Sequence, residues 1–192
     1  MNSTFDLIIS GIGAYQCSYL GYIIAYTAAL QGIDVKKMDY PNGRIMGGEL
    51  SFVRMGKDIH SPLPFEQRVD LIICFEPVIG AVHVAKYLSP QGVIIANESP
   101  VINSAHLVQQ AYELVYKLAR KVITYNAGNL CYGLKTFKIH KYICLGILNG
   151  LGKIPLDESC IMKTMEILLP EQELCLCREG MRAGKGLCDE YF

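Results

Sequence analysis

The sequence predicts an α/β fold: a Rossmann-like, mostly parallel sheet with helices on both faces and a helical C-terminal third. Three features carry that expectation. Residues 5–10, 70–75 and 92–97 are short, nearly unbroken apolar runs, the pattern of strands covered on both faces. Stretches with helical periodicity alternate with them. Glycines stand where the local structure must change, at Gly11-Ile12-Gly13 and at Gly32.

In chain order, residues 5–10 (FDLIIS) form the first strand, which ends in the glycine turn. A helix over 16–31 follows. Tyr15, Tyr19, Tyr22 and Tyr26 recur at helical spacing and share one face, expected to pack on the sheet or on a partner. Gly32 stops the helix and 35–40 is a second strand, completing a strand, turn, helix, strand unit. Residues 41–48 (PNGRIMGG) make a loop. Leu50, Phe52 and Met55 alternate with Ser51 and Arg54 as another strand before the Gly56-Lys57-Asp58 turn. Residues 70–75 form a buried strand, 78–88 a short helix and 92–97 a further strand. The helix at 104–120 is expected to use Leu107, Ala111, Leu114 and Leu118 as its core stripe, and 122–125 closes the sheet. Helical patterns at 142–148, 157–168 and 171–182 fill the remainder. The chain is expected to be a single domain, 1–192, with an α/β core over 1–130 and a helical extension over 131–192.

Composition narrows the function. Of the 192 residues, 51% are hydrophobic and 19% charged, which excludes a disordered chain. Lys plus Arg and Asp plus Glu are both 18, so no positive excess favours nucleic acid or an anionic membrane. The apolar stretch 20–30 is shorter than the roughly 20 residues that span a bilayer. The start has neither the basic residues nor the apolar run of a secretory leader, so a cytoplasmic location is expected. The cysteines are then expected to be reduced. Cys17, Cys74, Cys131, Cys144 and Cys160 lie in apolar surroundings and are expected in the core. Cys175, Cys177 and Cys188 lack the paired spacing of a zinc or iron–sulfur site, so no metal is expected.

Gly11-Ile12-Gly13, between a strand and a helix, has part of the geometry that accepts a phosphate on a helix N-terminus. The third glycine of that fingerprint is replaced by Gln16, and Asp39 ends the second strand where a ribose-binding carboxylate would sit. A tight turn that needs glycine only for its backbone explains the same residues. His60, His83, His106 and His140 are scattered, and no catalytic residue set emerges.

From residue 44 onward the chain resembles a known family. Met46-Gly47-Gly48-Glu49, Phe52-Val53-Arg54-Met55-Gly56 and Ser61-Pro62-Leu63 are similar to the R-G-G loop, V-R-x-G strand and S-P-L turn of the gamma subunits of 2-oxoacid:ferredoxin oxidoreductases, above all the indolepyruvate ferredoxin oxidoreductase beta subunits. Asp70 through Pro77 (DLIICFEP), Tyr87 through Gly92, Leu145-Gly146, Pro155-Leu156 and Arg182-Ala183-Gly184 continue the likeness. The chain departs from the family's G-x-G-G-Q-G turn at Ala14, and Met46 takes the place of the arginine in R-G-G.

The resemblance implies an enzyme subunit without cofactors of its own, the thiamine diphosphate and iron–sulfur clusters lying on a larger partner. The reaction implied is oxidative decarboxylation of a 2-oxoacid with coenzyme A and ferredoxin. Gly11, Gly13, Gln16, Gly47 and Gly48 are then the ligand-contacting candidates, with no catalytic residue here and a possible homo-oligomer in isolation. The competing reading is a stand-alone nucleotide-binding module or small NAD(P)-dependent oxidoreductase built on the Gly11 turn.

Overall fold

The computed structural model describes residues 4–12, 16–40, 48–133 and 139–189. The elements run β1 (Thr4–Gly11), α1 (Gln16–Leu30), β2 (Asp34–Tyr40), β3 (Glu49–Gly56), β4 (Val69–Cys74), α2 (Pro77–Tyr87), β5 (Leu88–Asn97), α3 (Ala105–Leu118), β6 (Lys121–Tyr125), α4 (Ala127–Gly133), α5 (His140–Leu151), α6 (Glu158–Leu168) and α7 (Glu171–Asp189). One six-stranded sheet has the order β2-β3-β1-β4-β5-β6. β1, β4, β5 and β6 are parallel neighbours, while β3 runs antiparallel to both β1 and β2. The mostly parallel α/β expectation therefore holds, with one modification. The first two strands of the strand–turn–helix–strand unit are not neighbours, because β3 folds back between them.

That order follows from the residues. β2 (DVKKMDY) is half-exposed along its length, and its charged side chains suit a sheet edge, where they discourage pairing with another chain. β3 is buried on both faces, with Phe52 on one side and Val53 and Met55 on the other, and takes the interior place.

Alternate residues of the central strands feed two cores. Ile9, Ile73, Ile95 and Ile123 face α1, α5, α6 and α7, whereas Ile8, Ile72 and Ile94 face α2 and α3. The helices of the final third thus share one apolar cluster with the sheet. α5 and α7 approach at backbone distance: a Cβ built on Gly184 would lie 2.0 Å from the Ile143 carbonyl oxygen, and one on Gly146 would lie 2.2 Å from that of Met181. Only glycine permits this separation.

The V-R-x-G and S-P-L segments turn out to be mechanically linked. Buried Arg54 donates from Nε to Asp6 Oδ1 at 2.8 Å and from Nη1 to the carbonyls of Ser61 at 3.2 Å and Leu63 at 3.0 Å. One guanidinium ties β3 to β1 and pins the turn after it, a use of its fork that lysine cannot copy.

Some expectations are corrected. Of the two places expected for the tyrosine face of α1, the sheet is taken by Cys17, Leu20, Gly21, Ile24 and Ala28; Tyr19 packs half-buried at the margin of that core, Tyr26 is half-buried and Tyr22 is exposed. Tyr15 lies outside the described residues. On α3 the buried residues are Ala111 and Val115; Leu107 and Leu118 are exposed because the helix covers only a narrow strip beside α2. Cys160 is half-buried rather than core, Cys17, Cys74 and Cys144 are buried, and the side chain of Cys131 lies outside the described residues. α7 extends past residue 182 to Asp189, and α4 carries no clear periodic signal in the sequence. Among the described residues no helix is long and apolar enough to cross a membrane.

Candidate functional site

β1 leads into a helix on one face of the sheet and its parallel neighbour β4 into a helix on the other. Their carboxyl ends therefore flank a topological switch point, where open α/β sheets leave a crevice for ligands. A cavity of about 200 Å³ lies there. Residues at and beyond the ends of four parallel strands line it: Ile12 and Gln16 after β1, Phe75 and Glu76 after β4, Asn97 at the end of β5 with Ser99 and Val101 after it, and Ala127 and Gly128 after β6, with His140 of α5 closing one side.

Gln16 is the expected residue that faces this cavity. Its Oε1 is buried and finds no hydrogen-bond partner among the described residues. A buried acceptor left bare costs roughly 1–3 kcal/mol. Gly11 and Gly48 do not line the cavity but meet beside it: Gly11 stands opposite Glu49 in the β1–β3 register, and Gly48 is buried next to it. A Cβ on Gly11 would lie 2.8 Å from Phe75 Cβ and 3.1 Å from Cys17 Sγ, so packing alone accounts for glycine there. Gly13 and Gly47 lie outside the described residues. Asp39 is already engaged, accepting from Ser18 Oγ at 2.6 Å and from the Lys37 ammonium. Those bonds hold its carboxyl below the usual carboxylate range against the opposing effect of desolvation.

Four residues with no recognised role at the sequence level shape the cavity. Glu76, 1% exposed, accepts from the backbone N–H groups of Val101 at 2.7 Å, Ile102 at 3.2 Å and Val78 at 3.4 Å. It therefore caps α2 and anchors the loop after β5 at once. Its signal was the Glu-Pro pair, an N-cap followed by proline at the first helical position. Asn97 spends its whole amide: Nδ2 donates to Phe75 O and Ser99 O, and Oδ1 accepts from Ser99 N and Ala127 N. Ser99 Oγ donates to Asn126 Oδ1 at 2.6 Å, which binds the α4 start to the same loop.

His140 packs against Phe75 with ring centroids 4.5 Å apart and planes tilted by 47°, and its Nε2 bonds the Tyr125 hydroxyl. Burial pulls its pKa down to about 4, so the ring is neutral at pH 7. Burial also pushes the Cys74 thiol up to about 12 and raises Cys17, so neither is a ready nucleophile. Among the described residues the cavity offers the neutral groups of Gln16, Asn97, Ser99 and His140 beside one carboxylate, Glu76, that is committed to backbone N–H groups. It can hold part of a ligand in place. Among the described residues no group of three or more His, Cys, Asp or Glu is arranged for a metal ion. Cys175 is exposed, while Cys177 and Cys188 are buried.

The model of the pyruvate ferredoxin/flavodoxin oxidoreductase family matches residues 6–184. The chain belongs to that family. It is similar to the indolepyruvate oxidoreductase subunit IorB of Thermococcus kodakarensis, 20% identical over 180 residues that cover 88% of this chain and 89% of that one. IorB of Pyrococcus horikoshii is 24% identical over 176 residues, covering 86% and 87%. Among solved structures, the gamma subunit of a keto/oxoacid ferredoxin oxidoreductase from Geobacter sulfurreducens shares the fold with a TM-score of 0.72 at 16% identity, covering 97% of this chain and 99% of that one. The 2-oxoglutarate:ferredoxin oxidoreductase of Magnetococcus marinus, with 2-oxoglutarate, coenzyme A and succinyl-CoA bound, gives 0.73 at 15% identity; it matches 99% of this chain but only 32% of that longer one. The chain is an oxidoreductase subunit of that family, as the resemblance implied, and has the fold of the Geobacter gamma subunit.

Proposed function

We propose that this chain is the subunit without cofactors in a 2-oxoacid:ferredoxin oxidoreductase that uses indolepyruvate or another arylpyruvate. The observation that carries the reading is the family match over residues 6–184, joined to end-to-end similarity with two IorB subunits. Thiamine diphosphate and iron–sulfur clusters on a larger partner supply the decarboxylation and electron transfer to ferredoxin. This chain's part is to position. Gln16 and His140 present neutral hydrogen-bonding groups at the switch point, and Glu76 and Asn97 hold the loops that frame them. Gly11 and Gly48 stand beside that wall, past which coenzyme A or the 2-oxoacid would run.

The nucleotide-module reading draws less support. The cavity of about 200 Å³ lies below the roughly 300–1,000 Å³ of small-molecule sites, and Asp39 is committed to Lys37 and Ser18. The deciding experiment is a tagged pull-down from the native cell grown without oxygen, with co-purifying chains identified by mass. Recovery of a larger subunit with thiamine diphosphate and iron–sulfur, active on arylpyruvates, supports the proposal. Recovery of the chain by itself, retaining stoichiometric NAD(P) or flavin, overturns it.

A further inference from the structure

The larger cavity lies at the opposite end of the sheet. It measures about 680 Å³ and opens at the amino ends of β1 and β4, between the α1–β2 turn and the loop from α5 to α6. Its volume is within the range of small-molecule sites, and its lining is predominantly apolar, as such sites are. Phe5, Ile33 and Met55 contribute the apolar walls. Lys57, directly after β3, and Lys153, on the α5–α6 loop, are exposed residues of its lining; neither forms a salt bridge among the described residues, and the charge of Lys153 acts on Asp70.

Asp70 also lines the cleft, but its Oδ2 already accepts from the Asp6 backbone N–H at 2.8 Å, and Asp6 in turn is held by Arg54. The lining thus carries two cations against one carboxylate. A dianion such as a phosphate would be partly repelled by Asp70, and a cation would meet both lysines. An apolar body bearing a single negative charge matches the apolar walls and balances the net positive charge of the lining, with Asp70 opposing it least.

We propose that this amino-end cleft is a second small-molecule site, separate from the switch-point cavity, which binds an aromatic or branched aliphatic monocarboxylate with its charge between Lys57 and Lys153. It does not depend on the oxidoreductase reading, since it uses residues at the other end of the fold.

The full-length chain is titrated with phenylacetate while backbone amide shifts are followed by NMR. Saturable shifts concentrated at Phe5, Ile33, Met55, Lys57 and Lys153 support the site. Lys57→Gln and Lys153→Gln should each weaken binding about two- to fivefold, the worth of one solvent-exposed ion pair. Asp70→Asn, which keeps an acceptor for the Asp6 N–H, should tighten it severalfold. Both lysines are exposed, so their loss leaves the fold intact. Phenylacetamide, the neutral isostere, should bind at least tenfold more weakly. Absence of saturable shifts, shifts at Gln16 and Ser99 instead, or equal affinity for acid and amide overturns the proposal.

Discussion

Two glycines two residues apart on α7 should respond to alanine with opposite signs. Gly184 presses against α5, and an added Cβ would sit 2.0 Å from Ile143 O and 2.8 Å from Ile147 N. Both are backbone atoms of a buried helix, so neither can rotate aside; the two helices must part by more than an ångström. Overpacking of this kind costs roughly 3 kcal/mol at the upper end of its usual range. Replacing glycine by alanine inside a helix returns about 1 kcal/mol, so Gly184→Ala should lose about 2 kcal/mol net. Gly186 is exposed and its Cβ would meet nothing within 4 Å. Gly186→Ala should therefore keep the propensity gain of about 0.5–1 kcal/mol. In a domain of this size a kilocalorie moves Tm by about 2–4 °C, which separates the variants by some 5–12 °C, in opposite directions from the parent. Urea denaturation with equal m values measures the difference. If Gly184→Ala is as stable as the parent, the close α5–α7 contact is wrong.

Further outcomes follow from the buried polar groups. Arg54→Met leaves Asp6 charged and buried without its partner and frees two carbonyls of the turn after β3, so stability should fall by about 3–5 kcal/mol; double-mutant denaturation with Asp6→Asn should recover much of it. Glu76→Ala removes the acceptor of Val101 and Ile102, costing about 2 kcal/mol, and hydrogen exchange should accelerate at those two amides more than in β5. Gln16→Leu should leave thermal stability unchanged or raised, because Oε1 has no partner to lose, while weakening ligand binding in the assembled enzyme. His140 is held at a pKa of about 4 against an ordinary 6.5. Between those values the unfolded chain takes up a proton that the folded chain refuses. The contribution is fully present above pH 6.5 and falls as pH drops, by up to about 3 kcal/mol near pH 4. His140→Gln should flatten that part of the stability–pH curve, and an unchanged slope would refute the assignment.

Much of this protein was determined locally. Apolar runs five or six residues long produced β1, β4 and β5, helical periodicity produced α1, α2 and the final helices, and Gly32 ends α1 with φ at +73°. Those features depend on neighbours within a turn or two, which the sequence displays directly. The motif ensemble around Arg54, Glu76-Pro77 and Gly184 likewise pointed to the family.

The tertiary structure decided what depends on pairing at a distance. Nothing local tells β3 to insert antiparallel between β1 and β2, since a buried strand has the same alternation in either direction. The tyrosines of α1 do share a face, but which face meets the sheet was settled by the fit of Gly21 against Ser51, where a Cβ would come within 2.2 Å of the hydroxyl. His140 and Gln16, 124 positions apart in the chain, line one cavity only because β1 and β6 end at the same edge of the sheet. Glu76 illustrates the boundary between the two. The Glu-Pro pair carries a local signal for the start of α2, but the hold of Glu76 on the loop after β5 exists only once β4 and β5 lie side by side.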